Sequence, residues 1–348
     1  MGQLSLNTSR KTYMSSKSIL VTGGAGYCGS RLVSQLLSRG HKVTVYDIMY
    51  FGNAFLPKDN PNLTLVEGDI RDAGLLEKSI NGHDTVISLA CISNDASFEL
   101  DEQLSTSVNL DAFEPMVIAA KRAEVSRFIY ASSSSVYGVS EIPDVKEDHP
   151  LPPLTLYNKY KGMCELLLAR HTDDNFVGVT SRTATFCGYA LRQRLDPSVN
   201  ILTNHAINKN KITVFGDDQL RPNFHIQNYC DVVEVLLNAP IEKVKNEIFN
   251  VGDQKMSIMD IANLVRRVFI EKFPDKKDMP IVTTPSDDNR LYHTNSDKIK
   301  RVLGFQAKHF IGEAMRDLCN AFRHGCLPNS FDDDSYFNVR GMKRLQAV

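Results

Sequence analysis

The chain has 348 residues, enough for a large core and for one elaborated domain or two lobes. Lysine plus arginine (40) nearly balances aspartate plus glutamate (41), so no global basic field points to nucleic acid. No apolar run approaches the roughly 20 residues of a membrane span, and seven cysteines without paired spacing suit a reducing cytoplasm rather than a disulfide framework.

Residues 1–17 are polar, lack the apolar centre of a secretory signal, and read as a flexible extension. Their start resembles a myristoylation site but carries Leu6 where Ser or Thr is expected. Ser18–Thr22 is a short apolar strand, followed by a glycine loop, a helix over Tyr27–Ser38, and a strand over His41–Asp47. That β-α-β unit of about 30 residues has the expected size. Further strands fit Leu63–Glu67, Thr85–Leu89, Arg127–Ala131 and Val177–Arg182, with helices over Leu75–Ile80, Gln103–Ala123 and Leu156–His171. Alternating β and α with apolar strands predicts an α/β fold, a doubly wound parallel Rossmann sheet over residues 18–182.

After Arg182 the rhythm breaks, and helices reappear at Asn200–Asn208, Asn228–Asn238, Ile258–Phe273 and Phe310–His324. Residues 183–348 are expected to form a smaller, mostly helical substrate lobe, with residues 225–252 returning to the Rossmann domain. The tail Phe331-Asp-Asp-Asp-Ser335 is acidic and is expected to be solvated.

The loop Thr22-Gly23-Gly24-Ala25-Gly26-Tyr27-Cys28-Gly29 satisfies both G-x-x-G-x-x-G and G-x-G-x-x-G. Gly23, Gly26 and Gly29 allow a tight turn and a close backbone approach to a pyrophosphate at the helix N-terminus. Asp47 closes the second strand, where its carboxylate would accept from the adenosine ribose hydroxyls and repel a 2′-phosphate. Asp69, in Gly68-Asp69-Ile70 after the third strand, would reach an adenine amine or simply hold a turn. Leu89-Ala90 ends the fourth strand, at the edge where doubly wound folds bind ligands. Tyr27, Cys28, Ile70 and Asn109 complete the cofactor-binding candidates, and no metal site is expected.

Tyr157 and Lys161 lie four residues apart on one helix and therefore share a face. An ammonium there would lower the tyrosine pKa from about 10. Ser132-Ser-Ser-Ser-Ser135-Val-Tyr-Gly138 would bring a hydroxyl to the same place. Together these groups suit deprotonation of an alcohol while its carbon is oxidised. Tyr160 has Cys164, not a lysine, four residues on, which favours Tyr157. In the loop Ala90-Cys91-Ile92-Ser93-Asn94-Asp95, Asn94 and Asp95 would touch sugar hydroxyls, with Asp95 as an extra acid/base or the cap of the next helix.

Taken in order, these motifs resemble those of the extended short-chain dehydrogenases/reductases, and the chain looks like a member of the NAD-dependent nucleotide-sugar epimerase/dehydratase family. The resemblance runs from about Ser18 to Phe322 and includes Arg221-Pro-Asn-Phe-His-Ile226, Phe249-Asn-Val-Gly252 and Asp288-Asn-Arg-Leu-Tyr292. It implies Tyr157 as acid/base, Lys161 as holder of the nicotinamide ribose, and Ser133 as hydrogen-bond partner of the reacting sugar hydroxyl. It implies NAD as cofactor, a nucleotide-diphosphate sugar as substrate, and a homodimer paired through the helices at 103–123 and 156–171. Arg221 and Arg290 resemble phosphate clamps, with Arg192, Arg194 and Asn200 as further substrate contacts, each arginine alternatively a surface ion pair.

Departures from the family pattern narrow the activity. Sugar 4,6-dehydratases carry an Asp-Glu pair where this chain has Ser134 and Ser135, and the 3,5-epimerase/reductase type carries a cysteine at Ser135. Thr185 replaces a frequent asparagine, and Asn228 a frequent aspartate. The sequence thus reads as a 4-epimerase working through a 4-keto sugar, with a 4-dehydrogenase or 4-ketoreductase as the alternative. A non-catalytic sensor is a further class, which the intact Ser133, Tyr157 and Lys161 argue against.

Overall fold

The computed structural model describes residues 16–138, 142, 144–152, 154–216, 220–276, 278–284 and 294–346. In chain order the first part comprises β1 (Ser18–Thr22), α1 (Tyr27–Ser38), β2 (Lys42–Asp47), β3 (Leu63–Glu67), α2 (Ala73–Ile80), β4 (Thr85–Ser88), α3 (Asp95–Phe98), α4 (Glu102–Thr106), α5 (Phe113–Arg122), β5 (Arg127–Ser133), α6 (Leu156–His171) and β6 (Val177–Thr183). The second comprises β7 (Thr185–Cys187), α7 (Ser198–Lys209), β8 (Ile212–Phe215), β9 (Leu220–His225), α8 (Ile226–Asn238), α9 (Ile241–Val244), β10 (Glu247–Val251), β11 (Gln254–Ser257), α10 (Ile258–Lys272), β12 (Ile281–Thr284), α11 (Asp297–Leu303), α12 (Ile311–Arg323) and α13 (Asn338–Gln346).

Seven strands form one sheet in the order β10-β6-β5-β4-β1-β2-β3. Every neighbouring pair is parallel. β4 and β6 are buried along their whole length, as expected for strands covered by helices on both faces. Leu32 and Leu36 of α1 and Val233 and Leu236 of α8 pack one face. Val117 and Ala120 of α5 and Leu168 of α6 pack the other. The chain runs outward from β1 to β3, then crosses to β4 on the other side of β1. This reversal opens a crevice at the carboxyl ends of β1 and β4, the place where such sheets take ligands.

β10 returns from the second half of the chain and pairs with β6. Apart from α8 and α11, which pack on the seven-stranded sheet, much of that half gathers around Leu202 of α7, Val265 of α10 and Ile311 of α12. A three-stranded sheet, β11-β9-β7, and a two-stranded one, β12-β8, border it.

The structure corrects the expected helix over 103–123. α4 gives way to a π-type turn at Ser107–Asp111 before α5 begins. The side chain of Asn109 accepts from Ile92 N at 2.8 Å and donates to Ile92 O at 2.9 Å, so the turn is committed to a neighbouring loop. Pro115 falls in the first turn of α5, where its missing N–H leaves no gap. α2 starts two residues before the expected Leu75, because the Asp72 carboxylate caps Leu75 N at 3.0 Å.

The acidic tail is also corrected. Phe331 stacks on His205 with ring centroids 5.7 Å apart. Ser330 Oγ donates to Asn204 Oδ1 at 2.7 Å, and Leu195 N donates to Tyr336 O at 2.8 Å. Apolar anchors interleaved with the acids draw the segment down and lead it into α13, whose Met342 is buried. Among the described residues, no helix is long and apolar enough to cross a membrane. All seven cysteines are unpaired thiols.

Candidate active site

The glycine loop is shaped by close approaches. Gly23 has φ +73°, and a Cβ on it would lie 2.6 Å from Ala90 N. A Cβ on Gly29 would lie 2.3 Å from Gly23 O. Only glycine permits both the left-handed turn and this contact between β1 and β4. Gly26, Tyr27 and Cys28 then present the first turn of α1 to a cleft of about 1000 Å³. The cleft also takes in Asp47, Asp69, Ile70, Leu89 and Ala90.

Asp47 lies in this wall and carries one backbone N–H on each carboxylate oxygen, from Ala25 and from Met49, both at 2.9 Å. Burial pushes its carboxyl above the usual range, and the two amides pull against that rise. Asp69 is held by Arg71, whose Nη2 lies 2.5 Å from Oδ2, and the pair keeps that carboxyl low. The Asp69 carboxylate is therefore already engaged by a cation. Asn109 does not line the cleft. It acts one layer behind, through its grip on Ile92.

At the other end of the cleft stand Ser133, Tyr157 and Lys161. Ser133 ends β5, and its Oγ lies 2.8 Å from Ser135 Oγ. Thr155 caps α6, accepting from Asn158 N and donating to Asp95 Oδ1 at 2.5 Å. This anchors Tyr157 in the first turn. Lys161 Nζ donates to Ala131 O at 2.8 Å and lies 5.1 Å from the Tyr130 ring centroid. Cys91, a neighbour that spacing alone did not single out, lines the same wall and helps raise the ammonium's pKa. Tyr157 lies on the cleft, whereas Tyr160 turns toward Phe98 outside it.

The tyrosine's electrostatics differ from expectation. Burial pushes the Tyr157 phenol up, Lys161 pulls it down, and the net displacement is upward. Burial alone would lower Lys161, but Cys91 and Tyr157 outweigh it and raise its pKa. Desolvation outweighs the pull of Lys161 and the smaller pull of Arg194, and so decides the sign.

Substrate-side expectations divide. Arg194 lines the cleft and forks onto Asp196, with Nε and Nη2 at 2.8 and 2.7 Å. Its Nη1 reaches Ser93 Oγ at 3.4 Å. Asn94, at φ +74°, caps α3 through Ser97 N, and its amide nitrogen lies 3.5 Å from Asp196 Oδ2. So Asn94 and Asp95 are both helix-entry residues that also face the cleft. Asn200 is a correction: it is fully buried, accepting from Gly188 N and donating to Tyr27 OH and Arg194 O. It ties α7 to the glycine loop instead of meeting a ligand. Asn228 is similarly spent, accepting from Lys308 N and His309 N. Arg290 and the side chain of Arg221 lie outside the described residues.

Among the wall residues that were not legible in sequence are Phe51, Asn338 and Val339. Phe51 carries the Arg192 guanidinium 3.7 Å above its ring. Asn338 arrives from α13, whose only sequence signal is a buried Gly341-Met342 pair among polar residues. A dinucleotide suits this half of the cleft: a helix N-terminus for phosphate, a carboxylate for ribose hydroxyls, and a buried Arg192 Nε with no protein acceptor.

Comparison with known proteins adds four findings. The model of the NAD-dependent epimerase/dehydratase family matches residues 19–252. The low-salt glycan biosynthesis protein Agl12 of Haloferax volcanii is 31% identical over 255 residues, covering 71% of this chain and 79% of that protein. A UDP-glucose 4-epimerase of Lactobacillus helveticus is 26% identical over 318 residues, covering 84% and 92%. Among solved structures, UDP-glucose 4-epimerase from Thermotoga maritima with UDP-glucose superimposes with a TM-score of 0.78 at 22% identity, over 88% of this chain and 99% of that one.

Proposed function

Since the chain belongs to the NAD-dependent epimerase/dehydratase family and is an NAD enzyme, we propose that it is a nucleotide-sugar 4-epimerase. The observation that carries this reading is the set of groups beside Tyr157. Ser133 and Ser135 pair hydroxyl to hydroxyl at 2.8 Å, and Ser134 is buried behind them. Neither Ser134 nor Ser135 exchanges protons as a carboxylic acid near neutral pH, as loss of water across C5 and C6 requires. With NAD to accept and return the hydride, Tyr157, Lys161 and Ser133 would suffice for oxidation and re-reduction at one carbon.

Tyr157 takes the proton of the C4 hydroxyl and later returns it. Lys161, fixed by Ala131 O, favours the ionised phenol against the burial that opposes it. Ser133 orients the reacting hydroxyl, so that little motion remains at the moment of reaction. When bound, NAD supplies the hydride chemistry at that carbon. Arg194, with Arg221 and Arg290, is proposed to take the diphosphate of the substrate, and Asn94 to meet its sugar. The protein is proposed to work in the cytoplasm as a homodimer. Met163 and Leu166, exposed three residues apart on α6, supply apolar contact for the helix pairing.

The test is a panel of UDP-, GDP-, dTDP- and CDP-sugars followed by NMR. Inversion at C4 without net cofactor reduction is expected. A 4-keto product accumulating with stoichiometric NADH would replace the epimerase by the 4-dehydrogenase, and loss of water would restore a dehydratase.

A further inference from the structure

The C-terminal segment lies beyond the family-matched residues 19–252, yet it reaches the cofactor side of the cleft. Its path is fixed at several points. Ser330 and Phe331 lock onto Asn204 and His205 of α7. Tyr336 O accepts from Leu195 N. Arg340 Nη1 donates to Phe331 O at 2.6 Å, closing the segment on itself. Gly341 then sits so close to Phe51 that an added Cβ would come within 2.9 Å of the ring.

At the tip of this segment, Asn338 joins two walls. Its Nδ2 donates to Ser93 Oγ at 2.8 Å, in the loop after β4. Its Oδ1 accepts from Arg192 Nη2 at 3.0 Å. Arg192 is 5% exposed, stacks on Phe51 and lines the cleft, and its Nε has no acceptor in the protein. A buried guanidinium with an unused donor is costly unless an anion completes it. The shared chemistry is a diphosphate, which both NAD and the nucleotide sugar carry. Two facts assign Arg192 to the dinucleotide. Its backbone N donates to Ser30 Oγ of α1, and its ring partner Phe51 follows Asp47 in the chain.

We propose that Asn338 is a positioning residue for the cofactor: by holding Arg192 Nη2 and tethering α13 to Ser93, it presents the remaining Arg192 donors to the diphosphate of NAD and seals that half of the cleft. The role rests on NAD as cofactor and not on which sugar is turned over. It is therefore tested apart from the proposed epimerisation.

The experiment is calorimetric titration of the full-length protein with NAD and, separately, with UDP. Asn338→Ala should weaken NAD binding about tenfold and speed NAD release by a similar factor, with UDP binding unchanged. Gly341→Val, which pushes α13 off Phe51 without touching Asn338 or Arg192, should act in the same direction. In an Arg192→Met background, the Asn338→Ala step should weaken NAD much less, since only the tether to Ser93 is left to lose. Unchanged NAD affinity in Asn338→Ala would overturn the proposal. So would a loss confined to UDP, which would move Arg192 to the substrate side, or an undiminished loss in the Arg192→Met background.

Discussion

At the scale of the residue, the pairing of Tyr157 with Lys161 was readable because helical periodicity alone places them one turn apart. What periodicity does not carry is depth. Both side chains are buried, and that burial reverses the expected direction of the tyrosine's shift. A phenol held high needs its lysine all the more, because ionisation occurs only where an ammonium offsets desolvation. Tyr157→Phe should therefore keep its fold and its NAD affinity while losing roughly 10²- to 10⁴-fold in turnover. The ring packs edge-on against Phe98 at 6.4 Å and needs no hydroxyl to do so. Tyr160→Phe is the internal control, since that ring meets the same Phe98 from outside the cleft. Turnover of the two variants at matched stability decides the matter; a dead Tyr160→Phe beside an active Tyr157→Phe would sink the mechanism.

Between elements, the legible and illegible parts separate by the range of the contacts. Six of the seven strands of the sheet were visible as short apolar runs, whereas β10 was foreseen only as a return of residues 225–252 to the Rossmann domain. The break at Ser107–Asp111 was not visible, because its cause is a side chain 17 positions away from its partner. The tail was misread for the same reason: its acids are local, whereas its anchors on α7 are distant in sequence. One of those anchors makes a pH-dependent prediction. Burial, aided by Lys209, lowers the pKa of His205 from 6.5 to about 4. Between those values the unfolded chain binds a proton that the folded chain excludes, so stability falls as pH drops through the window. The contribution is on the order of 1–2 kcal/mol. Urea midpoints at pH 7.5 and pH 5 should differ more for the native chain than for His205→Gln. Parallel behaviour would mean that His205 does not report this equilibrium.

For the molecule as a whole, the question is which dinucleotide the assembled cleft prefers. Asp47 was legible as the acid closing β2, about 20 residues after the glycine loop. In the chain that follows it, Ile48, Met49, Tyr50 and Phe51 carry no positive charge. Folding changes that neighbourhood by bringing Arg192 onto Phe51 from 141 positions further on. The two charges then bear oppositely on a 2′-phosphate. The geometry favours exclusion: Asp47 is pinned at the wall by two backbone amides, and Arg192, held by Asn338 and Phe51, is proposed to turn its remaining donors to the diphosphate. A 2′-phosphate would have to displace or protonate a fixed carboxylate, a change that Arg192 is not free to offset. NAD should thus raise the melting temperature by mass action on the folded state, and NADP at the same concentration should raise it much less. Asp47→Ala should narrow the gap from both sides, losing the ribose contact for NAD and the repulsion toward NADP. If NADP stabilises the native chain as strongly as NAD does, Arg192 and not Asp47 governs the adenosine end, and the preference read from β2 is wrong.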